Sequence, residues 1–267
     1  TPKPSSAASD VYKRQLETHR FGGRLDLQTK RRMRAHLEPF EVDVALSWMS
    51  RAARFCPRGV WTNAARLGGY YSLKYYQNCQ AFVGNTEGIC DYLRKQGVPA
   101  EKVHYIPNFI DERPLPADDA TQFPATQGDA GSILMAAGRL HRNKGFDVLI
   151  EALSAVPSAT LWLAGEGPER THLAQLAQRL GVRDRVEFLG WQDDLRPYLQ
   201  RADVFVCSSR IEPLGNVVLE AWRQGCPLVA ARAAGPVELI TDGRTGSLCD
   251  LEDLSLIHIS EPTRRRG

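Results

Sequence analysis

Two glutamates, Glu212 and Glu220, lie at the rim of a predicted sheet, where carboxylates can accept hydrogen bonds from a ligand. The apolar run before Glu212 predicts a strand, and a helix carrying Glu220 is expected to begin near 215–216. Rims at the carboxyl ends of parallel strands are where α/β proteins bind ligands. Glutamates at this spacing are common, so the strand, loop and helix around the pair support the prediction.

The helix carrying Glu220 places this carboxylate one turn from its start, where it could accept two hydrogen bonds from a ribose diol. The alternative is that Glu220 only complements the helix dipole, worth about 0.3–1 kcal/mol, and that Glu212 is an exposed loop charge. The loop Pro213-Leu214-Gly215 can turn its backbone N–H groups toward a ligand, because glycine permits close approach.

Two cations are predicted at a rim of the same kind. Arg139 follows a predicted strand, and Lys144 precedes a helix whose free N–H groups favour an anion. A guanidinium offers a planar fork and an ammonium a compact charge, so together they suit a diphosphate. From this segment alone, two solvated surface charges are the favoured explanation.

Gly165 and Gly167 form part of a dinucleotide-binding pattern. Arg170 occupies the place of its third glycine, and Asp184 lies near the position of its acidic residue. Because the pattern is incomplete, a tight turn with close backbone approach is favoured over NAD binding.

Strands and helices alternate along most of the chain. After residue 131, five predicted strands alternate with helices over about 120 residues, which indicates a doubly wound parallel sheet. Before residue 111, a helix with Thr86 as its N-cap is expected between two strands. After residue 131, the helix that follows strand 159–165 is expected to hold Pro168 in its first turn. The predicted strands include 42–48, 81–85, 103–108, 132–138, 159–165, 186–191 and 203–209.

The predicted domains are 16–110 and 132–254, the first truncated and the second incomplete at its end. Residues 111–131 hold three prolines and no helical or strand period, which indicates a linker. Residues 1–15 and 255–267 read like translated sequencing-adapter DNA. We expect both ends to be non-native or disordered tails of a gene fragment.

The composition argues against several classes of protein. A net charge of +3 over 267 residues does not argue for a nucleic-acid partner. No apolar stretch approaches the roughly 20 residues of a membrane-spanning helix. The six cysteines are scattered, with no CxxC pair and no clustered histidine, which favours a reduced, cytoplasmic setting without a metal site.

A basic stretch at 25–40 carries Lys30, Arg31, Arg32 and Arg34. A solvated helix face is the favoured interpretation of such a charge run. The alternative is a surface that contacts an anionic membrane.

Four motifs together resemble the retaining glycosyltransferases of family 4, which have the GT-B fold. They are GRLHRNKGFDVLIEAL, AGEGP, VEFLGW and the long segment ADVFVCSSRIEPLGNVVLEAWRQGCPLVAARAAGPVELITDGRTGSL. The resemblance spans 132–250 and continues more weakly through 85–111. It implies two Rossmann-like, doubly wound parallel-sheet domains.

The resemblance implies a role for each candidate residue. Arg139 and Lys144 would hold the diphosphate of a nucleotide-sugar donor, Glu220 would bind its ribose, and Glu212 would lie beside the transferred sugar. The implied substrate-binding set is completed by Gly138 and by the backbone N–H groups around Leu214, Gly215 and Asn216.

The implied activity is transfer of a sugar from a nucleotide-diphosphate sugar to a glycan or lipid-linked acceptor, with retention of configuration. Lipopolysaccharide or another cell-surface glycan is the expected product, with no metal or cofactor. The expected location is the cytoplasm, or peripherally on the inner face of the cytoplasmic membrane. The alternatives are an inactive fragment that only binds nucleotide sugar, and a dinucleotide-binding oxidoreductase.

Overall fold

The computed structural model describes residues 27–40, 42–110, 121–124 and 131–253. They form two compact units. The first unit takes its described residues from Thr1–Arg66 and Ser72–Phe82, and the second from Leu67–Tyr71 and Val83–Gly267. The predicted tails 1–15 and 255–267, and most of the predicted linker 111–131, lie outside the described residues. The domain limits 16–110 and 132–254 stay a prediction.

Helices and strands alternate along the described chain. The α-helices are α1 (Leu27–Leu37), α2 (Met49–Phe55), α3 (Glu87–Lys95), α4 (Phe146–Leu153), α5 (Arg170–Arg179), α6 (Arg196–Arg201), α7 (Asn216–Arg223) and α8 (Ala234–Leu239). The strands are β1 (Val44–Trp48), β2 (Thr62–Leu67), β3 (Ala81–Gly84), β4 (Val103–Tyr105), β5 (Ser132–Ala137), β6 (Ala159–Ala164), β7 (Val186–Gly190), β8 (Val204–Cys207), β9 (Leu228–Ala231) and β10 (Ser247–Cys249). Five 3₁₀ turns are Glu38–Phe40, Leu73–Tyr75, Ala100–Lys102, Arg142–Lys144 and Arg183–Arg185.

The first sheet has four strands in the order β1-β2-β3-β4, with β1 and β2 parallel. Strand β2 was not predicted, because TNAARL contains one large apolar residue and no strand-like alternation. Side-chain hydrogen bonds satisfy the polar groups of this buried strand. The fully buried Asn63 accepts from Trp61 Nε1 at 2.8 Å and donates to the Pro57 carbonyl at 3.0 Å.

The second sheet has six parallel strands in the order β10-β9-β8-β5-β6-β7. The prediction of a doubly wound parallel sheet is therefore confirmed, with β10 as a strand that the sequence pattern did not indicate. Successive residues of β5 enter two different apolar clusters: Leu134 joins one, while Ile133 and Met135 join the other. Both faces of the sheet are thus covered, as its unbroken apolar strands require.

The strand order places a crevice at one point of the second sheet. From β5 the chain moves outward through β6 and β7, and then returns to place β8, β9 and β10 on the other side. The connections leaving β5 and β8 therefore diverge in opposite directions from neighbouring strands. The carboxyl ends at such a switch point are the usual ligand site of open α/β sheets.

Two predictions about helix starts have different outcomes. The Thr86 side chain accepts a hydrogen bond from the Ile89 N–H at 3.1 Å, which confirms the N-cap of α3. The prediction that Pro168 lies in the first turn of the later helix is wrong, because α5 begins at Arg170. The backbone N–H of Glu169 donates instead to the Leu140 carbonyl at 3.0 Å, so this segment packs against the loop after β5.

None of the described helices combines the length and the apolar character needed to cross a membrane.

Candidate functional site

A cavity of about 610 Å³ opens at the carboxyl ends of β5, β6 and β7, next to the start of α7. Four of the predicted site residues line it: Gly138, Arg139, Asn216 and Glu220. The structure therefore brings residues from two distant sequence motifs to one surface at the switch point of the sheet.

Lys144 and Glu212 form an ion pair next to this cavity, between Nζ and Oε2. The two side chains are 22% and 12% exposed, so the pair is largely shielded from water. A Cβ built on Gly138 would lie 3.1 Å from Cε of Lys144, which shows that the lysine side chain crosses this glycine. The pair therefore lies directly beside a residue of the cavity wall.

Hydrogen bonds join the loop after β8 to the turn that carries Lys144. The Ser208 hydroxyl donates to the Lys144 carbonyl at 2.8 Å, and the N–H of Arg210 donates to the Asn143 carbonyl at 2.8 Å. The Ser209 hydroxyl lies 3.4 Å from Oε2 of Glu212. These contacts fix Glu212 and Lys144 relative to each other.

Arg210, which the sequence reasoning did not select, holds this loop against the start of α4. Its guanidinium donates to both carboxylate oxygens of Asp147, at 2.7 and 2.9 Å, and to both oxygens of Glu252, at 2.5 and 2.7 Å. Burial alone would raise the pKa of Asp147, but the hydrogen bonds and charge of Arg210 outweigh this and lower it. No local spacing could have signalled this contact, since 63 positions separate the two residues.

Glu220 lies in the cavity wall among partly buried groups. Burial raises the pKa of its carboxyl group, and the nearby negative charge of Asp194 raises it further. Asp194 itself pairs with Arg196, whose Nη2 lies 2.6 Å from Oδ2. Asp194 and Arg196 also line the cavity and were not predicted as site residues.

The start of α7 faces the same region without a side-chain cap. Gly215 precedes the helix with a φ of 85°, in the left-handed region that favours glycine. Leu214 and Gly215 are buried, whereas Asn216 is exposed and lines the cavity. Asn108, which was not predicted, donates from Nδ2 to Oδ1 of Asn216 at 2.7 Å.

The glycines of the AGEGPER turn serve close backbone packing. A Cβ at Gly165 would lie 2.0 Å from the Gly138 carbonyl oxygen, and one at Gly167 would lie 2.3 Å from that of Leu140. The Leu140 N–H donates to the Glu166 carbonyl at 2.9 Å. The interpretation as a tight turn with close backbone approach is confirmed, and these glycines hold the Arg139 loop in place.

Solved structures share this fold. The structure of Anabaena Alr3699/HepE in complex with UDP and glucose superposes with a TM-score of 0.71, covering 86% of this chain and 70% of that one, at 22% identity. Parallel sheets flanked by helices and this likeness define a GT-B glycosyltransferase fold, as predicted.

Family comparisons agree with the fold. Residues 131–257 match the family described as Glycosyl transferases group 1. Two relatives from Rhizobium meliloti (strain 1021) are the lipopolysaccharide core biosynthesis glycosyltransferases LpsE, 42% identical over 214 residues, and LpsD, 40% identical over 228. The matches cover 79% and 84% of this chain. The region 131–257 belongs to the group 1 glycosyltransferases, and the chain spans 62% and 65% of the lengths of these relatives.

Proposed function

We propose that the protein transfers a sugar from a nucleotide-diphosphate sugar to a glycan or lipid-linked acceptor. The observation that carries this proposal is the meeting of Arg139, Glu220 and the Lys144–Glu212 pair at the switch point of the second sheet. A cavity of about 610 Å³ is of the size that small-molecule ligands occupy. The two relatives named for lipopolysaccharide core biosynthesis support a cell-surface glycan as the product.

The cations and the start of α7 would bind the donor diphosphate. Arg139 is exposed at the cavity wall, and the helix start presents N–H groups next to an N-cap glycine, which has no side chain to bind them. Lys144 is held by Glu212, so its ammonium is fixed in place before any ligand arrives. Stabilising the negative charge of the departing diphosphate would be the main catalytic contribution of these groups. In this proposal no metal ion or other cofactor is required.

The two glutamates would bind the two ends of the donor. Glu220 would accept hydrogen bonds from the ribose hydroxyls, and its partial burial would strengthen those bonds. Glu212 would position the transferred sugar, with the backbone of Leu214 and Gly215 beside it. Retention would follow from attack on the same face of the sugar that the phosphate leaves, so Glu212 would act electrostatically.

We propose a cytoplasmic location, with peripheral contact to the inner face of the cytoplasmic membrane where the acceptor is lipid-linked. The basic helix α1 supports such contact, since Lys30, Arg31, Arg32 and Arg34 lie on it.

The Glu212→Gln variant tests the proposed roles. It should lower kcat by about tenfold or more while donor affinity changes little, because the charge would matter most as the sugar–phosphate bond breaks. Initial rates of transfer and calorimetric donor binding give the two numbers. Glu151→Gln, an exposed glutamate on α4, is the matched control and should change neither.

Three other outcomes would argue against this proposal or a part of it. Equal losses of turnover and affinity in Glu212→Gln would assign this residue a plain binding role. Donor binding without transfer or donor hydrolysis would indicate a chain that only binds nucleotide sugar. A thermal shift with NAD and with none of the UDP-, GDP- or ADP-sugars would contradict the proposal.

A further inference from the structure

Two adjoining cavities in the first unit are lined by basic side chains. One, of about 560 Å³, lies between α1 and the segment at Pro57 and Arg58. The other, of about 460 Å³, lies beside the 3₁₀ turn Leu73–Tyr75. Lys30 and Asn78 line both, so the two cavities share a wall. Among the described residues that line them, none is an aspartate or a glutamate.

The cations come from separate parts of the first unit. Helix α1 supplies Lys30, Arg31 and Arg34, and the other elements supply Arg54, Arg58 and Lys74. Six basic side chains from four segments therefore surround the two adjoining cavities, which a single charged helix face would not produce.

Neutral oxygens accept the hydrogen bonds that the structure describes for Arg34 and Arg58. Arg58 donates from Nε to Oδ1 of Asn78 at 3.0 Å and from Nη2 to the Gln77 carbonyl at 3.3 Å. The Arg34 guanidinium donates to the Arg58 carbonyl. Its contact with Glu38, at 3.7 Å from Nε, joins two well-exposed side chains and neutralises little.

Like charges brought together repel one another and create a local positive potential, and no described residue lining these cavities carries a negative charge. An anion bound in these cavities would relieve that repulsion. Guanidinium forks and ammonium groups converging from several sides match the several oxygens of a phosphate group.

We propose that the adjoining cavities bind a phosphate-bearing ligand through a phosphomonoester or diphosphate group. The group belongs either to a soluble phosphorylated molecule or to a phospholipid headgroup. This site shares no residue with the cavity of the second unit, and the proposal does not depend on sugar transfer.

Binding of inorganic pyrophosphate tests the proposal, measured by calorimetry on the whole chain. Arg139→Gln serves as the background, because it weakens any binding of pyrophosphate to the cavity of the second unit. The matched pair is Arg31→Gln, which alters a lining residue, and Arg32→Gln, which alters its neighbour on α1 that lines neither cavity. Both variants remove the same charge from exposed positions.

Arg31→Gln should weaken pyrophosphate binding about tenfold, the cost of a charge-assisted contact, while Arg32→Gln should weaken it less than twofold. Lys30→Gln, which alters both cavities, should weaken binding at least as much as Arg31→Gln. Equal losses from Arg31→Gln and Arg32→Gln would overturn the proposal in favour of a diffuse charged surface. Binding that no variant at 30 or 31 weakens would also overturn it.

Vesicle sedimentation identifies the source of the phosphate group. Vesicles of phosphatidylcholine alone are compared with vesicles that also contain phosphatidic acid. Binding to the acidic vesicles that pyrophosphate displaces and Arg31→Gln weakens identifies a lipid headgroup. Pyrophosphate binding without vesicle binding identifies a soluble ligand. Vesicle binding that Arg31→Gln and Arg32→Gln weaken equally would contradict a built site.

Discussion

Several cationic side chains lie at the cavity of the second unit and at the basic cavities of the first unit. The two places differ in the carboxylate side chains that accompany these cations. In the second unit, Lys144 pairs with Glu212 and Arg196 pairs with Asp194, and Glu220 lies in the same wall. In the first unit, the described lining residues include no carboxylate.

This difference indicates what each place can bind. Where cations and carboxylates lie side by side, the cations can hold phosphate oxygens and the carboxylates can accept hydrogen bonds from sugar hydroxyls of the same ligand. Cationic side chains without a carboxylate only donate hydrogen bonds, and their charge favours an anionic ligand. The packing around the cavities differs too. The loops around the cavity of the second unit pack backbone against backbone at Gly165 and Gly167.

A substitution that breaks this backbone packing should lower the stability of the protein more than the other variants below. Gly165→Ala places a Cβ 2.0 Å from the Gly138 carbonyl oxygen at a φ of 125°, so the free energy of unfolding should fall by about 4 kcal/mol. Gly181→Ala is the control: its φ is also positive, at 68°, but no atom lies within 4 Å. It should lose about 1 kcal/mol. Urea denaturation measures both, and equal losses would show that the close approach is not required.

A second pair of variants compares the two cation clusters directly. Lys144→Met leaves the shielded Glu212 carboxylate without its cation and should cost about 2 kcal/mol of stability. Lys30→Met leaves none of the described carboxylates unpaired and relieves repulsion, so stability should stay within about 0.5 kcal/mol or rise. Thermal unfolding at low salt measures the difference. A larger loss in Lys30→Met would contradict the contrast between the clusters.

Arg210→Gln tests the hydrogen bonds that hold the Glu212 loop. It should cost about 1.5 kcal/mol at neutral pH, discounted for partial exposure. Because folding lowers the pKa of Asp147, the contribution of this pair is present above the unfolded-state pKa and is lost as pH falls through the lowered folded-state value. Unfolding curves of wild type and variant should therefore converge in acid. Arg142→Gln, in the same loop region, should show no such pH-dependent difference.

Substitution of Glu220 should have a small effect on stability, and this effect should be an increase. Folding raises the pKa of Glu220, so ionisation of this group opposes folding. The penalty is absent below the unfolded-state pKa and reaches its full size above the raised folded-state value. Glu220→Gln should therefore raise the unfolding midpoint at neutral pH but not in acid, while it weakens donor binding. Glu151→Gln is the control, and a destabilised Glu220→Gln at neutral pH would contradict this account.

Periodicity predicted most of the second unit. Apolar runs indicated β5, β6 and β8, because this signal reports burial within one element. The strand–loop–helix around Glu212 and Glu220 was also predicted, since parallel strands bring their carboxyl ends to one edge. The proposed roles of these residues stay predictions.

Contacts between distant segments could not be predicted. Arg210 contacts Asp147, and Asn108 contacts Asn216, although each pair is far apart in the sequence. Only the folded structure brings these residues together. Strand β2 is held by pairing with β1 and by the hydrogen bonds of Asn63, neither of which leaves an apolar pattern.

Calorimetric titration of UDP-, GDP- and ADP-sugars into wild type and Arg139→Gln shows whether the cavity of the second unit is the donor site. Arg139 is exposed in the cavity wall, so its loss should leave stability unchanged. At least one nucleotide sugar should bind wild type, and Arg139→Gln should weaken it by about tenfold or more. Nucleotide-sugar binding that is unchanged in Arg139→Gln, or binding of NAD alone, would contradict the assignment of this cavity as the donor site.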